Sequence, residues 1–519
     1  MDPGERPPSG VHRGPLGGSA TARALRLAAL FVLGAGAAEF CYRRWLLCRH
    51  RLPVEAAQRV FELYAIGEST MAGTPFRGLS PPELAGRALG GTLSGRRVVV
   101  RNLSKPGESI LPQVSALERW LWGRARGVPG AVLIYSGSND HGRPAAAPTW
   151  WLVKEALLER SLLSRALWDA GERRSLLPRV RSLFTYERHL RRAIERSLES
   201  GLVPVLSTVV SNASGVEPGL LAGSGSSTGR AGEMLAEGMA LEARGRHREA
   251  LRLYEGASSR RLGAYLLFRA GKCYEALGEP EPARRRFLQA IDYLAADNFN
   301  RATRYQNETI RGLAREYGVP LVDAVGLFEA RSTSGRESAL FVDGHHPSLL
   351  GHAILAEGFA DALAARFGGA VERRLSRAPD PEQALAYPLA DRLGARLYAG
   401  RWLLTASSRH LAPEERLSLA EERFREALRL APEAFSARLG LAIAEAARRS
   451  AFLRDAGTLR WLGRMKVFYG SRFRVSPWEL TVLLRRLRQA GVAEGSLRGV
   501  SAAHARTGGD HRGWAISSR

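Results

Sequence analysis

Cysteine is scarce in this 519-residue chain, which has only Cys41, Cys48 and Cys273, and that scarcity excludes a disulfide framework as the source of its stability. Lysine is scarcer still: Lys105, Lys154, Lys272 and Lys466 are the only ones among 76 basic residues. The net charge of +25 is therefore carried by arginine, spread through every segment. No basic strand interleaved with aromatics accompanies it, so nucleic acid is set aside as a partner. The arginine excess reads as a coding bias, although the surface should still attract anionic lipids or polysaccharides. No uncharged run reaches the roughly 20 residues of an ordinary membrane-spanning helix. With 45% hydrophobic residues, the chain has enough apolar material for two or three domains, each with its own core.

The longest apolar stretch, 27–38, lies between Arg23 and Arg26 on one side and Arg43 and Arg44 on the other. Phe40, Tyr42, Trp45, Leu46 and Leu47 lengthen it with interfacial aromatics, and arginines can snorkel, so 25–47 reads as a signal anchor. A cleaved signal peptide ending at Gly36-Ala37-Ala38 and a buried core helix are the alternatives. Arginines on both flanks leave the orientation open. Segments 1–24 and 491–519, rich in Gly, Pro, Ser and Arg, read as disordered tails.

Four separated stretches supply the parts of an acyl-transfer site. Phe61 to Ser69 is an apolar run closing on Gly67-Glu68-Ser69, which sets Ser69 at the point where a strand opens into a loop. The residue two past Ser69 is Met71, so the strained Gly-x-Ser-x-Gly elbow is absent. A serine hydroxyl is a poor nucleophile until a base takes its proton. The base candidate lies in Asp343-Gly344-His345-His346-Pro347, where Asp343 and His346 share one short turn. The carboxylate can hold one ring nitrogen while the other faces Ser69. His346 is preferred for its spacing from Asp343 and for the stiffness Pro347 lends. His345 reads as a solvent-facing loop residue and His352 as a helix-face residue. A metal site at this cluster is the lesser reading, because matching acidic or cysteine partners are missing nearby. A strand from Val98 turning at Gly107 offers a backbone N–H, and one from Val132 ending in Gly137-Ser138-Asn139-Asp140 offers the Asn139 amide. Both are donors of the kind that stabilise an oxyanion. Taken singly, Ser69 could be a helix cap, Gly107 a positive-φ turn and Asn139 an Asx-turn.

Together and in this order, these stretches resemble the SGNH (GDSL-type) serine esterase family. The resemblance implies Ser69 as nucleophile, the Ser69 and Gly107 amides with Asn139 as the oxyanion hole, and Asp343 and His346 as the Asp-x-x-His pair, with no cofactor and no metal. Where the family has Gly-Asp-Ser this chain has Gly-Glu-Ser, which leaves open what the middle acid contributes. The resemblance also implies an ester substrate, a cell-envelope glycan or lipid by analogy, and an extracytoplasmic (periplasmic) catalytic domain.

The expected fold is α/β: a flavodoxin-like parallel sheet with helices on both faces, built from 55–229 and 298–370. Between these halves, Gly238, Leu241, Gly245, Ala250, Tyr254 and Ala257 recur 33 residues later as Gly271, Tyr274, Gly278, Ala283, Phe287 and Ala290. That is close to the roughly 34-residue tetratricopeptide (TPR) period, so 230–297 reads as two inserted helical repeats. A third instance, with Ala420, Phe424, Ala427 and Pro432, places further repeats in a C-terminal helical region, 371–490. Such arrays need about three units to bury a continuous core, so the inserted pair is expected to stack on the C-terminal helices and to offer a protein-binding surface. Two rival readings share the same residues: a catalytically silent scaffold of this fold, and a transferase moving acyl groups between sugars.

Overall fold

The computed structural model describes residues 17–50, 59–125, 127–140, 149, 158, 160–173, 185–218, 229–258, 262–293, 301–332, 337–407, 413–450, 452 and 475–507. The outer parts of both expected tails, 1–16 and 508–519, lie outside these.

The chain divides into two compact units. The smaller contains the helix Gly17–His50, the segment 118–124 and the helix Leu162–Arg173. Within it Glu39 accepts the Leu162 and Leu163 amides, each at 2.9 Å, and pairs with Arg43 at 2.6 Å. Arg119 and Asp169 meet at 2.7 Å, and the Arg43 guanidinium lies over the Trp122 ring. One turn of the long helix is thereby tied to protein through its polar side chains. Its apolar part stays bare: Leu27, Leu30, Phe31, Val32 and Leu33 are all exposed. The stretch Ala24–Arg49 is long and apolar enough to cross a membrane by length and composition.

The larger unit holds a six-stranded mixed sheet: β1 (Val60–Gly67), β2 (Thr92–Leu93), β3 (Arg96–Asn102), β4 (Gly130–Tyr135), β5 (Val203–Ser207) and β6 (Leu321–Val322). The order is β2-β3-β1-β4-β5-β6. All neighbours pair in parallel except β2, a short antiparallel edge on β3. Every residue of β1 and β4 is buried, as strands covered by helices on both faces must be. β1 lies between β3 and β4, so the chain leaves it first to one side and later to the other. Loops leaving the carboxyl ends of these strands flank the crevice where open α/β sheets bind ligands. Ser69 follows β1, Gly107 follows β3 and Asn139 follows β4.

Four helices, Gly229–Glu242, His247–Gly256, Gly263–Ala276 and Pro280–Tyr293, stand in the chain between β5 and β6. A side chain at Gly271 would meet Phe287 at 2.6 Å, and one at Gly238 would run into Tyr254; small residues let each helix approach the aromatic of the next. Leu389–Ser407, Glu414–Leu430 and Phe435–Arg449 follow the same logic, with fully buried Phe424 wedged against Gly400 and Gly440. Arg269 of the inserted helices pairs with Glu415 of the C-terminal ones at 2.7 Å.

Two expectations about the tails need correction: residues 17–24, read as part of the amino-terminal tail, open the helix Gly17–His50. Glu494–Thr507, within the stretch read as a disordered tail, is a helix that buries Leu497, Val500 and Ala503, with His504 Nε2 at 2.8 Å from the Val475 carbonyl oxygen. Its composition is loop-like, but three apolar side chains at helical spacing suffice once the preceding helices offer a surface.

Candidate active site

The turn after β1 is tight. The Ala72 amide bonds the Glu68 carbonyl at 2.9 Å and the Thr74 amide bonds that of Ser69 at 2.9 Å. Gly67 is required where it stands, because a side chain there would collide with Met71 and the Tyr135 carbonyl. Asn102, at the end of β3, donates to the Met71 carbonyl at 2.7 Å and fastens the turn to the sheet.

The opposing turn is framed by the bridge between Phe341 and Pro347, with Val342 N–H donating to His346 O at 2.9 Å. Inside it the fully buried Asp343 carboxylate is satisfied on both oxygens. Oδ1 accepts the His345 and His346 amides at 2.9 and 2.8 Å, and Oδ2 lies 2.6 Å from His346 Nδ1. Burial works against the charge, but the His346 and His345 rings and the N–H donors outweigh it and hold the carboxyl well below the usual range. An ionised carboxylate can only accept, so His346 Nδ1 carries a proton, and in the neutral ring Nε2 holds the lone pair. That nitrogen lies 2.7 Å from Ser69 Oγ. Ser69 therefore donates to it, which is the arrangement that transfers a hydroxyl proton to an imidazole.

Asn139, nearly fully buried, donates one N–H to Glu108 O at 3.2 Å. Gly107 lies in the turn after β3 with φ 77°, a backbone setting that favours glycine. Glu68 has a structural occupation: its Oε1 accepts the Gly137 and Asn139 amides at 2.8 and 3.1 Å and the Ser136 hydroxyl at 3.3 Å. Burial raises its pKa, and those same donors oppose the rise. The middle acid thus bridges the Ser69 turn and the Asn139 loop. Tyr186 Oη, 2.6 Å from Ser136 O, and Gln306, which donates to Gly137 O and Asp140 O, hold that loop from its other side. Neither carries a sequence signal, since each lies on a helix remote in the chain.

His345 is buried instead of facing solvent, its ring centroid 3.8 Å from that of His346. Burial first, then the neighbouring His346, pushes its pKa well below the ordinary value. His352 is buried too, Nδ1 at 3.0 Å from Leu79 O. Asp343, His345 and His346 could bring metal-ligand atoms within 4.8 Å of one another. The Asp343 oxygens and both His346 nitrogens are already engaged within the protein, so the donor set does not fit a resident ion.

Behind the turn, Asn212 Nδ2 donates to Asp343 O at 3.0 Å and the Asn212 amide to Gly344 O at 3.1 Å. A few residues on, Glu217 accepts the Arg416 amide at 3.1 Å and pairs with its guanidinium at 3.2 Å. In front, the helix Leu389–Ser407 brings Tyr398 and Trp402 edge-on to His346, with ring centroids 6.3 and 6.2 Å away.

No protein-family model matches the chain, and no curated protein matches it. Solved structures do. The chain is similar to a member of the lipolytic protein G-D-S-L family from Veillonella parvula DSM 2008, at 13% identity over 58% of this chain and 97% of that one, with a TM-score of 0.29. It is similar to LAE5, an α/β hydrolase enzyme from the metagenome of Lake Arreo, at 15% identity over 59% and 95%, TM-score 0.30. A variant of Axe2, an acetyl-xylooligosaccharide esterase from Geobacillus Stearmophilus, aligns at 14% identity over 58% and 94%, TM-score 0.29. The likenesses are remote.

Proposed function

We propose that this protein is a membrane-associated serine esterase of the SGNH type. The observation that carries the reading is the continuous hydrogen-bonded line from Asp343 through His346 to Ser69, at 2.6 and 2.7 Å. In this reading Ser69 Oγ attacks the ester carbonyl carbon while its proton passes to His346 Nε2, and Asp343 stabilises the imidazolium that results. The carbonyl oxygen, now negative, is held by the Ser69 and Gly107 amides and the second N–H of Asn139. Collapse of the adduct breaks the bond to the alcohol, which leaves with the proton from His346. Water, deprotonated by the same ring, then releases the acyl group. A sugar hydroxyl in place of water would make the same machinery a transferase.

The inserted and C-terminal helices act as TPR-like repeats, and the apolar stretch 25–47 as an anchor with the catalytic part on the extracytoplasmic side. An O-acylated cell-envelope component suits that placement. The test is labelling of the full chain by a fluorophosphonate probe, which should modify wild type and spare Ser69→Ala. A folded wild-type chain that resists the probe would replace the esterase reading with that of a catalytically silent scaffold.

A further inference from the structure

The helix Leu389–Ser407 presents Tyr398, Arg401 and Trp402 at positions three and four apart, which share one face of a helix. Tyr398 and Trp402 are half-buried and stand edge-on to His346 at 6.3 and 6.2 Å. Arg401, also half-buried, stays close to its own helix, Nε donating to Leu397 O at 3.0 Å. Among the described residues its Nη groups have no carboxylate partner, whereas other enclosed arginines do: Arg269 has Glu242 and Glu415, and Arg416 has Glu217. Burial lowers the Arg401 pKa to about 10. A guanidinium set deep in the molecule, partly accessible and without a carboxylate partner among the described residues, attracts an anion.

The side of the reaction it serves follows from the chemistry. In the esterase reading, on which this inference rests, His346 returns its proton to the leaving alcohol. Groups beside the His346 ring therefore border the alcohol part of the ester, while Gly107 and Asn139 border the carbonyl oxygen. Paired aromatics offer flat, apolar surfaces with polar rims, suited to the C–H face of a sugar ring.

We infer that Tyr398, Arg401 and Trp402 form a subsite for the alcohol part of the substrate, and that it takes a sugar ring bearing an anionic group, a carboxylate or a phosphate. Arg401 supplies forked donors to the anion and the two aromatics supply the platform. A phospholipid headgroup would use Arg401 but leave the platform idle, so the aromatic pair favours the sugar.

The experiment is calorimetric titration of the full chain in 0.3 M salt, where diffuse attraction to the +25 surface is screened. The ligands are trigalacturonate for the carboxylate, glucose 6-phosphate for the phosphate, xylotriose as the neutral sugar, and glycerol 3-phosphate as the anion without a ring. One or both anionic sugars should bind at least about tenfold more tightly than xylotriose, the value of one charge-assisted contact. Arg401→Gln should abolish that margin and Arg401→Lys restore part of it, while Trp402→Ala should weaken charged and neutral sugars alike. Arg374→Gln, at an 84% exposed side chain, should change nothing. Equal binding of xylotriose and trigalacturonate, indifference to Arg401→Gln, or binding of glycerol 3-phosphate without either anionic sugar would overturn the assignment. Since the readout is binding, its failure is separable from loss of fluorophosphonate labelling, which concerns Ser69 alone.

Discussion

Asp343→Asn separates the hydrogen-bonding geometry of the site from its proton chemistry. The native carboxylate accepts two backbone amides on one oxygen and His346 Nδ1 on the other. An asparagine has one acceptor and one donor end. Turning its NH2 toward the backbone would leave two buried N–H groups facing a donor, at about 1–3 kcal/mol each. The opposite orientation keeps both backbone bonds and points the NH2 at His346 Nδ1. To accept it, the ring must move its proton to Nε2, the nitrogen 2.7 Å from Ser69 Oγ. The site keeps its shape and loses its base, so the rate should fall by about 10,000-fold, roughly 5.5 kcal/mol in the barrier. The assay is the rate of fluorophosphonate labelling and of 4-nitrophenyl acetate turnover, with thermal unfolding alongside to show that the fold persists. A folded Asp343→Asn chain labelled at more than a tenth of the wild-type rate would refute the relay.

Glu68→Ala removes the acceptor shared by Gly137, Asn139 and Ser136, and should cost about 2–4 kcal/mol of stability and about 100-fold in turnover; Glu68→Gln, which keeps an oxygen there, should lose far less of both in paired melting and turnover assays. Burial lowers the His352 pKa to about 4 from an ordinary 6.5, so the unfolded chain binds the extra proton in that window and stability must fall as pH drops from about 6.5 to 4. The contribution is about 3 kcal/mol, and Tm measured across that range should show a shallower acid loss in His352→Gln than in wild type. Gly271→Ala brings a methyl to within 2.6 Å of the Phe287 ring and should destabilise by about 1–3 kcal/mol; an unchanged thermal unfolding profile would contradict the close helix approach.

Strand and turn chemistry were legible because they are local. The apolar runs ending at Gly67 and Ser136 and the strand turning at Gly107 could be read without knowing what lay beside them, and so could the three-residue spacing of Asp343 and His346. What escaped was set by partners distant in sequence. Glu68 looked like a departure from a motif until Gly137 and Asn139 were seen to donate to it. His345 read as a loop residue because nothing in its neighbours announces the helix Leu389–Ser407, whose Trp402 ring stands 6.2 Å away. Tyr398, Arg401 and Trp402 fall in a helix whose spacing signals only that it packs. The edge strand Thr92–Leu93 is too short for periodicity to register. The helix Glu494–Thr507 was hidden by composition, since its glycine and serine content resembles a tail and its ordering comes from the surface beneath it.

The hydrogen bond between Ser69 and His346 spans 277 positions along the chain. Synthesis proceeds from the amino end, so the hydroxyl emerges early and its imidazole much later, after the four inserted helices have been made. Until residue 346 arrives Ser69 is an ordinary alcohol, indifferent to esters around it. In the esterase reading a nascent or truncated chain is therefore inert, and reactivity is conferred only once most of the polypeptide has been made and closed upon itself.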